Sequence, residues 1–126
     1  MLTVTAIYAA AFALLLIYLS IRVISIRRRD QISLGAGGDS TLKKRIRAHA
    51  NFTEYTPLGL ILLAALELNS APLWQLHIVG GLLLVGRLCH PVGVNGGPMN
   101  FRVGGMLMTF LSLLTGAVFI LAGQFL

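Results

Sequence analysis

A polar face precedes a long apolar stretch in the middle of the chain. It combines an arginine, an amide, a carboxylate and a phenol, at Arg47, Asn51, Glu54 and Tyr55. On a helix these residues stand at i, i+4, i+7 and i+8, so they share one face. Ionisable groups are costly at membrane depth, and they therefore face ligands or partners rather than lipid. Because arginine binds carboxylates and asparagine both donates and accepts, this face suits an anionic ligand.

Further cationic groups come from other parts of the chain and are candidates for the same site. They are Arg27 and Arg28 after the first apolar stretch, Arg87 and His90 on one face of the third, and Arg102 at the start of the last. Structural alternatives exist for these groups. Arg47 and Glu54 can form an internal ion pair, and Arg87 can be the counterion of Glu54. Arg27 and Arg28 can set membrane topology and contact lipid phosphates.

The composition is that of an integral membrane protein. Charged residues make up only 11% of the 126 residues and hydrophobic residues 56%, whereas soluble domains carry about 25% charged residues. All ten Lys and Arg lie in three clusters that flank apolar stretches, at 22–29, at 43–47, and at 87 with 102. The positive-inside rule explains this placement better than nucleic-acid binding does, so no nucleic-acid partner is expected. The lone Cys89 excludes an internal disulfide, and no metal-binding motif is present.

The elements that must position the polar groups are four transmembrane helices, predicted at approximately 2–27, 42–68, 73–90 and 100–124. Each is near the 20 residues that cross a bilayer. The four helices form an all-α bundle, a single domain over residues 1–126. Asp39 or Ser40 is expected to cap the second helix, and residues 91–98 are expected to form a turn. Both termini then lie outside, and every Lys and Arg lies on the cytoplasmic side, where the candidate site groups can converge.

The run from Arg47 to Pro57, RAHANFTEYTP, resembles the helix-two motif of the MAPEG family, whose members act in eicosanoid and glutathione metabolism. Residues 22–28 and 86–90 are similar to the ends of helices one and three in synthases of the family. The resemblance covers all four helices in order and length. It implies a homotrimer that binds glutathione between subunits near the cytoplasmic side.

The resemblance also implies roles for individual residues. It assigns glutathione binding to Arg47, Asn51, Glu54 and Tyr55, with Arg27, Arg87 and His90 in the same pocket. Arg102 is the candidate for stabilising the thiolate, together with Arg28. One departure is Val94, which stands where eukaryotic synthases of the family carry a tyrosine.

Three functions are compatible with these observations to different degrees. The leading hypothesis is a glutathione transferase or peroxidase that acts on a hydrophobic electrophile or hydroperoxide in a bacterial inner membrane, in contact with membrane lipids. The second is a non-catalytic lipid-binding or scaffold protein of the same fold. A transporter or channel subunit is disfavoured, because the first and last helices offer almost no polar residues beyond one end.

Overall fold

The chain folds into four antiparallel α-helices in a computed structural model, which describes residues 1–125. Helix α1 spans Thr3–Asp30, α2 spans Ser40–Leu68, α3 spans Leu73–Val94 and α4 spans Met99–Phe125. The loops 31–39 and 95–98 therefore lie at one end of the bundle, which we call the basic end because the Lys and Arg residues gather there. The all-α, four-helix prediction is confirmed.

Three of the helices are long and apolar enough to cross a membrane. These are α1, α3 and α4, with 28, 22 and 27 residues. Their apolar side chains stay exposed on the outside of the protomer, as at Leu14 and Leu114, and such a continuous apolar surface fits lipid rather than water. Within residues 1–125, α2 does not reach the same apolar character, because its first half carries charged groups from Lys43 to Glu54.

The start of α2 is fixed by a side-chain cap. Asp39 has an extended backbone conformation, and its Oδ1 accepts a hydrogen bond of 2.8 Å from the backbone N–H of Leu42. This satisfies one of the amides that the first helical turn leaves without an intrahelical partner. Of the two capping residues that the sequence offered, Asp39 is the one used.

Helix α3 is longer than predicted. It continues through Pro91 to Val94, so the predicted turn over 91–98 is reduced to residues 95–98. Proline removes only one backbone donor from the helix. The last turn is held in place because Gly93 packs directly against the backbone of Arg102 in α4. The chain then reverses at Gly96, whose φ of +105° is readily adopted only by glycine.

The opposite end of the bundle contains a cap that joins α1 to α2. The two carboxylate oxygens of Glu67 accept hydrogen bonds from the backbone N–H groups of Val4 (2.8 Å) and Thr5 (2.7 Å). A negative charge at a helix N-terminus also interacts favourably with the helix dipole. Glu67 thus fixes the start of α1 against the end of α2.

The packing of α3 against α4 is the closest in the bundle and is made through glycines. A methyl group on Gly86 would lie 2.7 Å from the carbonyl oxygen of Gly105, and one on Gly105 would lie 2.6 Å from the backbone nitrogen of His90. Small residues allow this approach between membrane helices. It brings α4 near enough for its short polar side chains to reach α3.

Candidate functional site

A buried polar cluster joins α2, α3 and α4 toward the basic end. At its centre is Arg87 of α3, whose exposed fraction is 1%. Arg87 Nη1 donates a hydrogen bond of 2.6 Å to Oδ1 of Asn51. Its Nε and Nη2 donate to the hydroxyl of Thr109, at 3.0 and 2.7 Å, and the thioether of Met106 lies 3.4 Å from Nη2. The acceptors of this buried cation are thus all neutral.

Tyr55 lies beside this cluster. The guanidinium carbon of Arg87 is 5.7 Å from the centre of the Tyr55 ring, which is a cation–π distance. The same ring meets Phe110 of α4 edge to face, with 5.6 Å between centroids. Asn51 and Tyr55 therefore turn toward α3 and α4, as expected for residues four apart on one helix face.

Arg47 and Glu54 form an ion pair on the surface of the same face. Arg47 Nη2 lies 3.1 and 3.0 Å from the two carboxylate oxygens of Glu54. The side chains remain 54% and 47% exposed, and ion pairs this exposed contribute at most about 1 kcal/mol. The internal pair considered as a structural alternative is thus formed. The other alternative, Arg87 as counterion of Glu54, is wrong, because Arg87 is engaged by Asn51 and Thr109.

His90 is buried one turn after Arg87, with 4% of its surface exposed. The close approach of Gly105 covers its backbone. Its Nδ1 is enclosed and has no hydrogen-bond partner in residues 1–125. Because an unpaired buried polar atom is costly, His90 is a group with unused hydrogen-bonding capacity at the edge of the cluster.

The remaining predicted arginines are exposed or lie elsewhere. Arg102 is exposed at the start of α4. Arg27 donates to the carbonyl oxygen of Gly35 at 2.8 Å and, with the exposed Arg28, lines a crevice of about 420 Å³ beside residues 31–33. In the part of the chain that the structure describes, no hydrogen bond or ion pair links Arg27 or Arg28 to the Asn51–Arg87 cluster. One protomer therefore does not bring all the predicted groups together.

The other face of α2 packs against α1. Arg45 Nη1 donates to the carbonyl oxygen of Arg22 at 2.8 Å, and Nε2 of His49 lies 3.1 Å from the hydroxyl of Ser20. His49 thus contributes to the packing of α2 on α1. The two faces of α2 thus have separate tasks, one in helix packing and one at the polar cluster.

Thr109 is the residue that the sequence reasoning missed. Its hydroxyl accepts from Arg87 and donates to the carbonyl oxygen of Gly105 at 2.8 Å. A signal was present, because the buried residues of α4 are small or hydroxylic and recur at helical spacing: Gly105, Thr109, Ser112 and Gly116. A threonine on the small-residue face of an apolar helix points into the bundle, where its hydroxyl needs a partner.

A model of the MAPEG family matches residues 5–122 of the chain. The chain belongs to the MAPEG family. Two curated proteins that are similar to this chain carry the name inner membrane protein YecN, one from Escherichia coli strain K12 and one from the O6:H1 strain CFT073. Each is 40% identical to this chain over 111 residues, which cover 88% of this chain and 85% of YecN.

Membership in the MAPEG family confirms the resemblance drawn from the helix-two motif. The match includes nearly the whole of all four helices, so it covers the cluster residues Asn51, Arg87 and Thr109 as well as Arg102. The name YecN describes a location in the inner membrane and states no reaction. Family and fold are therefore established, while the ligand must be argued from the chemistry of the site.

Proposed function

We propose that this MAPEG protein is a membrane-bound glutathione transferase that also has glutathione peroxidase activity. The observation that carries the proposal is the polar face of α2, joined to the buried Arg87 at the basic end of an otherwise apolar bundle. Glutathione offers two carboxylates, one ammonium and a thiol. A site rich in arginine and amide N–H donors, with one carboxylate for the ammonium, fits these groups.

In this proposal Arg47 and Glu54 separate when glutathione binds, and each pairs with a charged group of the ligand. Arg47 takes a glutathione carboxylate and Glu54 takes the ammonium, so each keeps an oppositely charged partner. The exchange costs little because the pair is about half exposed. Asn51 and Tyr55 bind the tripeptide beside it, with Arg27 at the other end. Arg87 and His90 belong to the same site but lie behind Asn51, since they are more deeply buried in the protomer, with 1% and 4% of their surface exposed against 7% for Asn51.

The reaction needs the thiolate form of glutathione. A nearby guanidinium stabilises a thiolate and keeps it oriented. We assign this role to Arg102, which is exposed at the start of α4, and to Arg28. The thiolate sulfur attacks an electrophilic carbon, a carbon–sulfur bond forms, and the leaving group departs with its electron pair. With a hydroperoxide, two glutathione molecules are oxidised to the disulfide, and the hydroperoxide is reduced to an alcohol and water.

We further propose a homotrimer in a bacterial inner membrane, with α2 as a fourth span. The positive-inside rule orients the basic end toward the cytoplasm and both termini outside. The hydrophobic acceptor then reaches the site from the bilayer, and membrane lipids cover the exposed apolar faces. The inner membrane location is the one that the name of the YecN relative states.

The test uses the full chain purified in detergent. Glutathione binding is measured by titration calorimetry, and turnover with a chlorodinitrobenzene-type acceptor and with a lipid hydroperoxide. Arg102→Ala should lower kcat far more than it weakens glutathione binding. Arg29→Ala is the matched control, because the Arg29 side chain is exposed and paired with Asp30 at 2.8 Å, and it should change neither. Absence of binding at millimolar glutathione would refute the proposal.

A second candidate is a lipid-binding member without catalysis. Two observations favour it: the ion pair engages both Arg47 and Glu54, and the tyrosine of the synthases is replaced by Val94, which is buried. For this function, lipids should raise the thermal stability of the protein while glutathione leaves it unchanged. Stabilisation by glutathione excludes this alternative.

A further inference from the structure

The hydrogen bond between Arg87 and Asn51 determines which atoms of Asn51 can meet a ligand. Guanidinium nitrogens only donate, so the atom that faces Arg87 Nη1 at 2.6 Å must be the amide oxygen. The alternative orientation of the amide would place its NH₂ against another donor. Oδ1 of Asn51 is therefore engaged, and its NH₂ group has no hydrogen-bond partner in the described residues 1–125.

Arg87 cannot turn away from Asn51, because α4 holds it on the other side. Thr109 accepts from both Nε and Nη2, and Thr109 itself is held by its bond to Gly105. Thr109 is 0% exposed and Arg87 is 1% exposed, so water does not compete for these bonds. The chain Gly105–Thr109–Arg87–Asn51 is a continuous network that fixes the amide from behind.

From this geometry we infer that Asn51 presents only N–H donors to the ligand, and that Arg87 and Thr109 are positioning residues that keep it so. The group bound at Asn51 is then an acceptor of the ligand, a carboxylate or a peptide carbonyl, and never its ammonium. This rests on the proposed function, because it assigns a part of glutathione to a part of that site. It also leaves Glu54 as the carboxylate of this face that can accept the ammonium.

The charge of Arg87 supports the same specificity. Its partners are the amide, the hydroxyl and the thioether, so no carboxylate neutralises it in residues 1–125. A buried cation with neutral partners favours a negative charge nearby, since charges act over longer distances where water is excluded. An anionic group at Asn51 gains from both the N–H donors and the positive charge behind them.

The substitution Asn51→Asp tests whether Asn51 donates to glutathione or accepts from it. It keeps the oxygen that Arg87 needs and adds a negative charge beside the buried cation, but it removes the NH₂ group. The expected result is a melting temperature at or above that of the wild type. The affinity for glutathione should fall by about 10- to 100-fold, because a hydrogen bond to a charged group is lost. If Asn51 accepted from the ammonium, Asp would bind glutathione as tightly or more tightly.

Three further variants complete the test. Asn51→Leu removes both the side-chain oxygen and the NH₂ group, and it should melt below the wild type, because Arg87 Nη1 loses its closest acceptor, the Asn51 oxygen at 2.6 Å. Asn69→Asp adds the same charge at the opposite end of α2, where the Asn69 amide only donates to Ala65, and should leave glutathione affinity unchanged. Thr109→Val should weaken glutathione binding with kcat at saturation retained, and Thr109→Ser should restore it, because it keeps the hydroxyl.

The outcomes distinguish this inference from the proposed function. If the wild type fails to bind glutathione, the proposed function is refuted. The melting temperatures of Asn51→Asp, wild type and Asn51→Leu then still test whether Arg87 donates to the side-chain oxygen of Asn51. If the wild type binds but Asn51→Asp binds equally well, the donor-only assignment is overturned and the proposed function stands. If Asn51→Asp melts at a temperature as low as that of Asn51→Leu, the hydrogen bond from Arg87 to the Asn51 oxygen is itself contradicted.

Discussion

The contact between α3 and α4 supports a stability prediction that uses two neighbouring glycines. A methyl group on Gly105 would lie 2.6 Å from the His90 nitrogen and 2.9 Å from the Gly86 carbonyl oxygen, whereas one on Gly104 would meet nothing within 4 Å. The atoms that crowd Gly105 belong to the backbone, so no side-chain rotation can relieve the overlap. Gly105→Ala is therefore expected to force the helices apart, and Gly104→Ala is its matched control.

The size of the effect follows from two opposing terms. Alanine in place of glycine stabilises a helix by roughly 0.5–1 kcal/mol, and this gain is common to both variants. Overpacking of a well-packed contact costs about 1–3 kcal/mol, and this cost applies only to Gly105. The two variants should therefore differ in unfolding free energy by about 1–3 kcal/mol. At about 4 °C per kcal/mol for a chain of this size, their melting temperatures should differ by roughly 4–12 °C.

Thermal unfolding of both variants can be followed by circular dichroism at 222 nm in one detergent, with size-exclusion chromatography to verify the same assembly. Gly104→Ala should melt at or slightly above the wild-type temperature, and Gly105→Ala clearly below its control. Equal melting temperatures would show that α3 and α4 do not approach at Gly105 as closely as described. The polar network through Thr109 would then lose its structural basis as well.

Three other predictions concern individual hydrogen bonds and are all tested by the same melting experiment. Asp39→Ala should cost about 1 kcal/mol because the cap of α2 is lost, and Asp39→Ser should retain most of the stability; equal melting of the two contradicts the cap. Ser112→Ala should cost about 0.5–1.5 kcal/mol, because its buried hydroxyl donates to the carbonyl oxygen of Val79 at 2.7 Å; an unchanged melting temperature speaks against that bond. Glu54→Gln should change stability by less than about 1 kcal/mol, since the ion pair with Arg47 is exposed; a larger loss indicates that the pair supports the bundle.

Charge placement and hydropathy predicted most of the fold, because a small number of physical rules governs membrane helices. Apolar stretches of about 20 residues and clusters of Lys and Arg located all four helices and the end at which the basic residues gather. The end of α3 was missed for a physical reason. Proline and glycine after His90 resemble a turn in sequence, but the contact between Gly93 and Arg102 in α4 keeps these residues helical.

The candidate site was predicted in part. Helical spacing correctly placed Asn51 and Tyr55 on one face, because this depends on α2 alone. Which residues contact that face depends on how α3 and α4 are rotated about their own axes. The spacing of residues within α2 carries no information about these rotations. The sequence therefore offered Glu54 as the partner of Arg87, whereas the structure pairs Arg87 with Asn51 and Thr109.

The separation of Arg28 from Asn51 makes the proposed trimer testable. Arg28 faces a crevice beside the loop after α1, whereas Asn51 is turned toward α3 and α4. No hydrogen bond or ion pair joins the surroundings of the two residues in residues 1–125, so if one glutathione molecule contacts both, we expect them to come from neighbouring subunits. At a glutathione concentration too low to saturate Asn51→Asp, the variants Arg28→Ala and Asn51→Asp should each show little activity alone, but mixed oligomers should contain some complete sites.

The activity recovered in mixed oligomers can be calculated from the fraction of complete sites. When the two variants assemble at random in equal amounts, a site between subunits receives an intact α1 in about half of all cases and an intact α2 in about half. About a quarter of the sites are then complete, whatever the number of subunits in the ring. Co-expression with different affinity tags and purification through both tags removes the uniform oligomers, which raises the complete fraction to about a third of the sites in a trimer. Activity with a chlorodinitrobenzene-type acceptor measures that fraction. No recovery in oligomers that carry both tags would mean that Arg28 and Asn51 serve separate sites, and the catalytic role of Arg28 would have to be abandoned.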